Sequence, residues 1–141
     1  TAAGQPNEEL FALLYYALSY VAYKEQHPTD LALCFLARCL ALQGYAPRLT
    51  HCARCGRDLR NLRQLAFSPR AGGAVCMDCR DGDSLEISPL ALEAVRRMLR
   101  LSNQDMDRVA LPPQVRQQLK AALHAYGEYV LERSFRAIEQ L

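Results

Sequence analysis

Two Cys-x-x-Cys pairs, Cys52-Ala53-Arg54-Cys55 and Cys76-Met77-Asp78-Cys79, stand twenty residues apart and constrain this chain more than any other stretch. The spacing is that of a four-thiolate zinc site. Each pair can form a tight knuckle that puts two sulfurs on one face. Two such knuckles complete a tetrahedron with Zn–S distances of about 2.3 Å. Four cysteine ligands leave no open position, so one structural zinc is expected on Cys52, Cys55, Cys76 and Cys79. Between the pairs, Leu65-Ala66-Phe67 and Ala74-Val75 have strand-like composition and flank the turn-rich Ser68-Pro69-Arg70-Ala71-Gly72-Gly73. We read a hairpin that returns the second knuckle to the first. So short a hairpin is marginal alone in water, and metal binding supplies the missing folding free energy.

Other uses of these cysteines fit less well. Disulfides belong to an oxidising compartment, and no stretch reads as a secretory signal. A redox dithiol needs one Cys-x-x-Cys near a βαβ pattern, which the sequence does not offer. His51, beside Cys52, reads as a surface neighbour. Cys34 and Cys39 are five residues apart, a poor match for one helix face, and read as small buried hydrophobes.

The chain has 141 residues, half of them apolar, enough for one domain with a real core. Its net charge of +2 is unevenly spread. Residues 48–80 hold seven arginines (Arg48, Arg54, Arg57, Arg60, Arg63, Arg70, Arg80) against Asp58 and Asp78. Four thiolates on one Zn²⁺ take back two of those charges. The arginines can attract phosphates or balance the thiolate–zinc centre, and both readings stand. The chain opens on Thr1, so a processed product or a piece of something longer is expected. Leu10 to Tyr23 is the longest mostly apolar stretch and is too short and tyrosine-rich to span a bilayer. Reduced thiols and the zinc pattern lead us to expect a cytoplasmic protein.

Around the cysteines the pattern is helical. Asn7 can cap a helix whose apolar positions include Leu10, Leu14, Leu18 and Val21. Its tyrosines, Tyr15, Tyr16, Tyr20 and Tyr23, read as core rims, with base stacking the alternative. A second helix is expected over Leu31 to Gln43, with Leu33, Leu36, Leu40 and Cys39 inward and Gly44 as its C-terminal cap. Ser88-Pro89 opens a third, with Leu92, Val95 and Leu99 buried and Arg96, Arg97 and Arg100 on one adjoining arc. There Glu93 is expected to pair with Arg97 at i,i+4. Asn103-Gln104-Asp105 reads as a loop. A last helix opens at Leu111-Pro112-Pro113 and buries Val115, Leu119, Ala122, Tyr126 and Val130. The fold class is therefore mainly α: a small α-helical domain with an inserted four-cysteine, zinc-ribbon-like β-hairpin module. The helical domain takes residues 1–47 and 81–141 and the zinc module 48–80, in one compact unit. No catalytic constellation emerges from the three scattered histidines, His27, His51 and His124, and no enzyme is expected.

With these residues in view, the chain resembles the C-terminal part of the RecO family of bacterial recombination mediators. The resemblance runs through Phe35-x-x-Arg38-x-Leu40-x-x-x-Gly44-Tyr45-x-Pro47 and Cys52-x-x-Cys55-Gly56. It continues through Phe67-Ser68-Pro69-x-x-Gly72-Gly73-x-x-Cys76-x-x-Cys79. Asn7-Glu8-Glu9-Leu10-Phe11 and Arg133-Ser134 also match. It implies an N-terminal OB-fold, absent from these residues, that carries much of the DNA binding, followed by a helical domain with the zinc module. It further implies binding of single- and double-stranded DNA and annealing of complementary strands. With the partner RecR, such proteins help RecA replace the single-stranded DNA-binding protein SSB, and some receive the acidic SSB tail. They work in the bacterial cytoplasm at the nucleoid. Leu33 and Cys34 stand where basic residues often precede the family phenylalanine, a departure at the place where that tail would be received. Arg54, Arg57, Arg60, Arg63, Arg96, Arg97 and Arg100 are the candidate contacts to nucleic acid or a partner. The competing expectation is a zinc-stabilised helical adaptor that binds only proteins.

Overall fold

The computed structural model describes Leu14, Tyr15 and residues 30–139, except for the side chains of 107, 135 and 137–139. Within them the chain runs α1 (Asp30–Leu42), β1 (Leu65–Ser68), β2 (Gly73–Cys76), β3 (Leu85–Ile87), α2 (Pro89–Arg100) and α3 (Pro113–Glu139). Short 3₁₀ turns at Met77–Cys79 and Asn103–Arg108 join them. The first expected helix lies outside the described residues, apart from Leu14 and Tyr15, which are helical.

Helix boundaries follow local chemistry. Gly44, at φ +90°, ends α1: its N–H reaches Ala41 O at 3.0 Å, and the Tyr45 N–H reaches Leu40 O at 2.8 Å. Those two bonds make a Schellman cap, which needs the left-handed backbone glycine supplies. Ser88 caps α2 by accepting from Ala91 N at 3.1 Å, with Pro89 at the first helical position. At the other end of α2, the Arg38 guanidinium donates to the carbonyls of Met98 (3.1 Å) and Leu101 (2.6 Å). A cation on these orphan carbonyls also suits the negative end of the helix.

The sheet has three antiparallel strands in the order β2-β1-β3. The hairpin pairs Leu65 with Cys76 and Ser68 with Gly73. The third strand, pairing Leu65 with Ile87, was not expected from sequence. Beyond β2, the backbone of Arg48 bridges Gly73, with Ala74 N bonded to Arg48 O at 2.8 Å. A Cβ at Gly73 would sit 2.4 Å from that backbone, so only glycine admits the approach.

One apolar core runs from the helices into the sheet. It holds Leu33, Leu36 and Leu40 of α1, Leu92, Val95 and Met98 of α2, and Leu119, Leu123 and Tyr126 of α3. Phe67 of β1 meets Tyr126 edge to face at a centroid distance of 5.8 Å. Tyr15 is fully buried, and its hydroxyl donates to the carbonyls of Leu123 (3.2 Å) and His124 (2.9 Å). Its ring packs against Gly127, where a Cβ would approach it to 1.9 Å. At the foot of α1, Asp30 accepts from Arg116 Nε at 2.6 Å and Leu111 N at 3.0 Å.

Two expectations are corrected here. Asn103–Arg108 is a 3₁₀ helix rather than a loop, because Ser102 holds Asp105 through side chain and backbone and Met106 is buried beneath. Glu93 pairs with Arg96 and, at 3.7 Å, with Arg100, not with Arg97. Arg96 is turned that way by the Leu49 carbonyl, which it meets at 3.5 Å. No helix among the described residues is long and apolar enough to cross a membrane.

Candidate metal centre

Each knuckle is built by its backbone. In the first, Cys52 N donates to Arg57 O at 2.7 Å and Gly56 N to Cys52 O at 2.9 Å, closing a turn with Gly56 at φ +80°. Buried Leu59 anchors the returning segment, its N–H on Thr50 O at 2.8 Å. In the second, β2 delivers Cys76, and the 3₁₀ turn that follows swings Cys79 back beside it. Ala53 N donates to Ala74 O at 2.9 Å and stitches the first knuckle to β2.

The result is a cluster of four sulfurs, those of Cys52, Cys55, Cys76 and Cys79, all within 4.8 Å of one another. Sulfurs around a tetrahedral zinc lie about 3.8 Å apart, as follows from the usual bond length. The Cys55–Cys76 separation is 3.9 Å. Cys52 and Cys76 are buried, Cys79 is half-buried, and Cys55 faces solvent. The set could hold a metal ion, and an all-cysteine tetrahedron suits zinc. When bound, such an ion supplies a cross-link and positive charge.

The electrostatics of the cluster call for a cation. Burial raises the Cys52 thiol, but the N–H groups of Cys55, Cys76 and Arg54 outweigh it and bring it down to about 6. Cys79 is pushed up to about 12 by hydrogen bonding to Cys76, then by burial and by Cys52 and Cys55. A second thiolate beside a first is thus disfavoured until positive charge sits between them. Cys34 and Cys39 lie outside this cluster. Cys34 is buried against Met98 O at 3.8 Å, and burial raises both thiols.

The candidate arginines fall into two groups. Arg54 is held by Asp81 at 2.7 Å, Arg60 by Asp58 at 2.7 Å, and Arg96 and Arg100 by Glu93. Arg57 and Arg63 line one recess with Met77, while Arg97 borders another between α2 and the segment leading to α3. Arg54 to Arg63 lie along a chain of turns. Sequence reading missed the role of Asp81. Its carboxylate accepts from Arg54, Ser68 Oγ (3.0 Å), Ser84 Oγ (3.1 Å) and Asp83 N (3.0 Å), tying knuckle to sheet. The Asp-x-Asp-Ser turn is the signal that could have revealed it.

The sequence matches the family described as "Recombination protein O C terminal" over residues 1–138. The chain belongs to the RecO C-terminal family. A "DNA repair protein RecO" from Moorella thermoacetica is 35% identical over 136 residues, which cover 95% of this chain and 50% of the relative. That of Streptomyces coelicolor is 36% identical, covering 96% of this chain and 52% of its own length. That of Desulforamulus reducens is 30% identical, covering 98% and 54%. The chain spans about half the length of the curated RecO proteins it matches.

Proposed function

We propose that this chain is the zinc-stabilised C-terminal part of a recombination mediator, acting in DNA repair. The observation that carries the reading is the family match over residues 1–138, joined to relatives named DNA repair protein RecO. Cys52, Cys55, Cys76 and Cys79 hold one structural zinc; the sulfur cluster and its buried Cys52 and Cys76 support this. The zinc fixes residues 48–80 as a module within the helical domain formed by 1–47 and 81–141. In the whole protein the part preceding this one supplies an OB-fold and most of the DNA affinity. The assembly anneals complementary strands and, with RecR, helps RecA replace SSB. None of these steps makes or breaks a covalent bond.

The acidic SSB tail docks in a recess beside α2. Leu33 and Cys34 are buried and offer no basic rim. The recess between α2 and the 105–115 segment has an apolar floor of Leu90, Ala94, Met98 and Val115 and a volume of about 500 Å³. Arg97 borders it and offers a fork to a carboxylate-rich peptide, while Arg108 is paired with Asp105 at 3.5 Å and Glu93 also lines the recess.

The competing reading, a helical adaptor that binds only proteins, draws on the pairing of Arg54 and Arg60 with carboxylates. A salt titration of labelled single-stranded DNA against the zinc-loaded 141-residue chain is the first test. The mediator reading expects log K to fall linearly with log salt. Absence of binding even at low salt, with tight RecR binding, would leave both readings open, because the preceding part carries most of the DNA affinity; the same titration of the full-length protein then separates them.

A further inference from the structure

Of the seven arginines in residues 48–80, Arg54, Arg60 and Arg70 are held by carboxylates, at 2.7, 2.7 and 3.0 Å. Among the described residues, Arg48, Arg57, Arg63 and Arg80 have no acidic group within ion-pair distance and are exposed; Arg48 stands apart in its backbone contact with Gly73, and the other three group together. Arg57 and Arg63 line a recess of about 390 Å³ with Leu62, Gln64 and Met77. A second recess, of about 470 Å³, begins at the same Arg63, Gln64 and Met77 and runs on to Arg80, Ser88 and Gln118. The shared residues make the two adjoining stretches of a groove beside the metal module.

We infer that Arg57, Arg63 and Arg80 form a track for the phosphodiester backbone of single-stranded nucleic acid, held in register by the metal centre. This rests on the nucleic-acid reading above and narrows it. Guanidinium forks match phosphate oxygens, and the amides of Gln64 and Gln118 add neutral donors along the same groove. The Gln118 carbonyl oxygen is already taken by Ser88 N at 2.9 Å, which turns its NH₂ group outward as a donor. No aromatic side chain lines the groove, so it offers no platform for base stacking and reads the backbone without regard to sequence. Asp78 and Glu86 share the groove, and Asp81 at its side is spent on Arg54. With these carboxylates and the net negative zinc–thiolate centre alongside, positive charge is confined to three side chains, which suits phosphates engaged one at a time along a strand better than the broad face of a duplex.

The knuckles flank one end of the groove, and β1 and β3 line the rest. Arg57 follows Cys55 by two residues; Met77 and Asp78 lie between Cys76 and Cys79, and Arg80 comes next. The four-sulfur cluster and the Ala53–Ala74 bond tie the knuckles together. Removing the metal should loosen the groove at that end while the arginines remain.

Fluorescence anisotropy with labelled oligo-dT, over a salt series, tests the track on the zinc-loaded chain. R57Q/R63Q/R80Q should weaken binding at low salt by about tenfold or more and lower the salt slope by about 2. R54Q/R60Q, which touches only paired arginines, should leave the slope unchanged. R57K/R63K/R80K, with its charge kept, should retain most of the slope. Zinc content and circular dichroism of each variant establish that it is folded, and chelation of the wild type, which keeps the arginines but loosens the groove, should also weaken binding. Loss of slope in R54Q/R60Q and not in the triple variant would overturn the track yet leave nucleic-acid binding standing. Wild type without any salt-dependent binding would remove the track and leave the DNA affinity proposed for the preceding part untouched. Equal competition by polyglutamate at the same charge would identify an acidic protein as the ligand and overturn the assignment.

Discussion

Gly127 lies in the middle of α3, where glycine costs helix stability, and the Tyr15 ring occupies the space its side chain would fill. Alanine there must displace a fully buried ring whose hydroxyl is bonded to two helix carbonyls. G127A is expected to cost about 3 kcal/mol in urea unfolding, the upper range for overpacking. Y15F should cost only about 1 kcal/mol, for the lost hydroxyl bonds. Asp30 is the other residue that decides a joint. Burial raises its pKa, but Arg116 and the Leu111 N–H overcome that and hold it below the usual carboxylate value. A depressed folded pKa means the contribution is complete above the unfolded value, about 3.9, and is lost as pH falls through the folded one. D30N should therefore destabilise by about 2 kcal/mol at neutral pH and show a smaller further loss on acidification than the wild type. Thermal melts across pH 7 to 3 check both.

At the scale of elements, the sheet shows what could and could not be read from the chain. The hairpin was legible because apolar pairs flank a Gly-Gly turn and end on a cysteine. β3 was not: Leu85-Glu86-Ile87 is too short for a period to register, and its place is set by pairing with β1 and contact with α3. The helix starts were legible at Ser88 and Pro113, where capping is local, and so were the inward positions of α3. The partners of Glu93 were not, because the choice between Arg96 and Arg97 depends on the distant Leu49 carbonyl. The four sulfurs could be grouped from spacing alone, whereas the sorting of arginines into paired and unpaired needed the acidic turn folded back at Asp81. Glycine supplies a test at this scale. G73A places a methyl group 2.4 Å from the Arg48 backbone and should destabilise by about 2 kcal/mol. Hydrogen exchange should quicken at Ala74 and Arg48, whose N–H groups bond across that contact; unchanged protection there would show the bridge to be dispensable.

Across the whole molecule, two kinds of cohesion meet. The helices bury continuous apolar faces against one another and against Phe67 and Val75 of the sheet. The knuckles have little apolar core beyond Leu59 and rely on the sulfur cluster and the Asp81 network. Chelation should therefore disorder the knuckles with only a modest loss of helical circular dichroism. A cooperative collapse of all helical signal would mean that the metal holds the entire fold. The central claim, that one zinc joins the two knuckles through four particular sulfurs, is tested most directly by measuring zinc per chain in six single Cys→Ser variants. C52S, C55S, C76S and C79S should each lose or greatly weaken the one equivalent expected in the wild type, while C34S and C39S keep it. Zinc retained by all four knuckle variants, or lost in C34S or C39S with the fold intact, would contradict it.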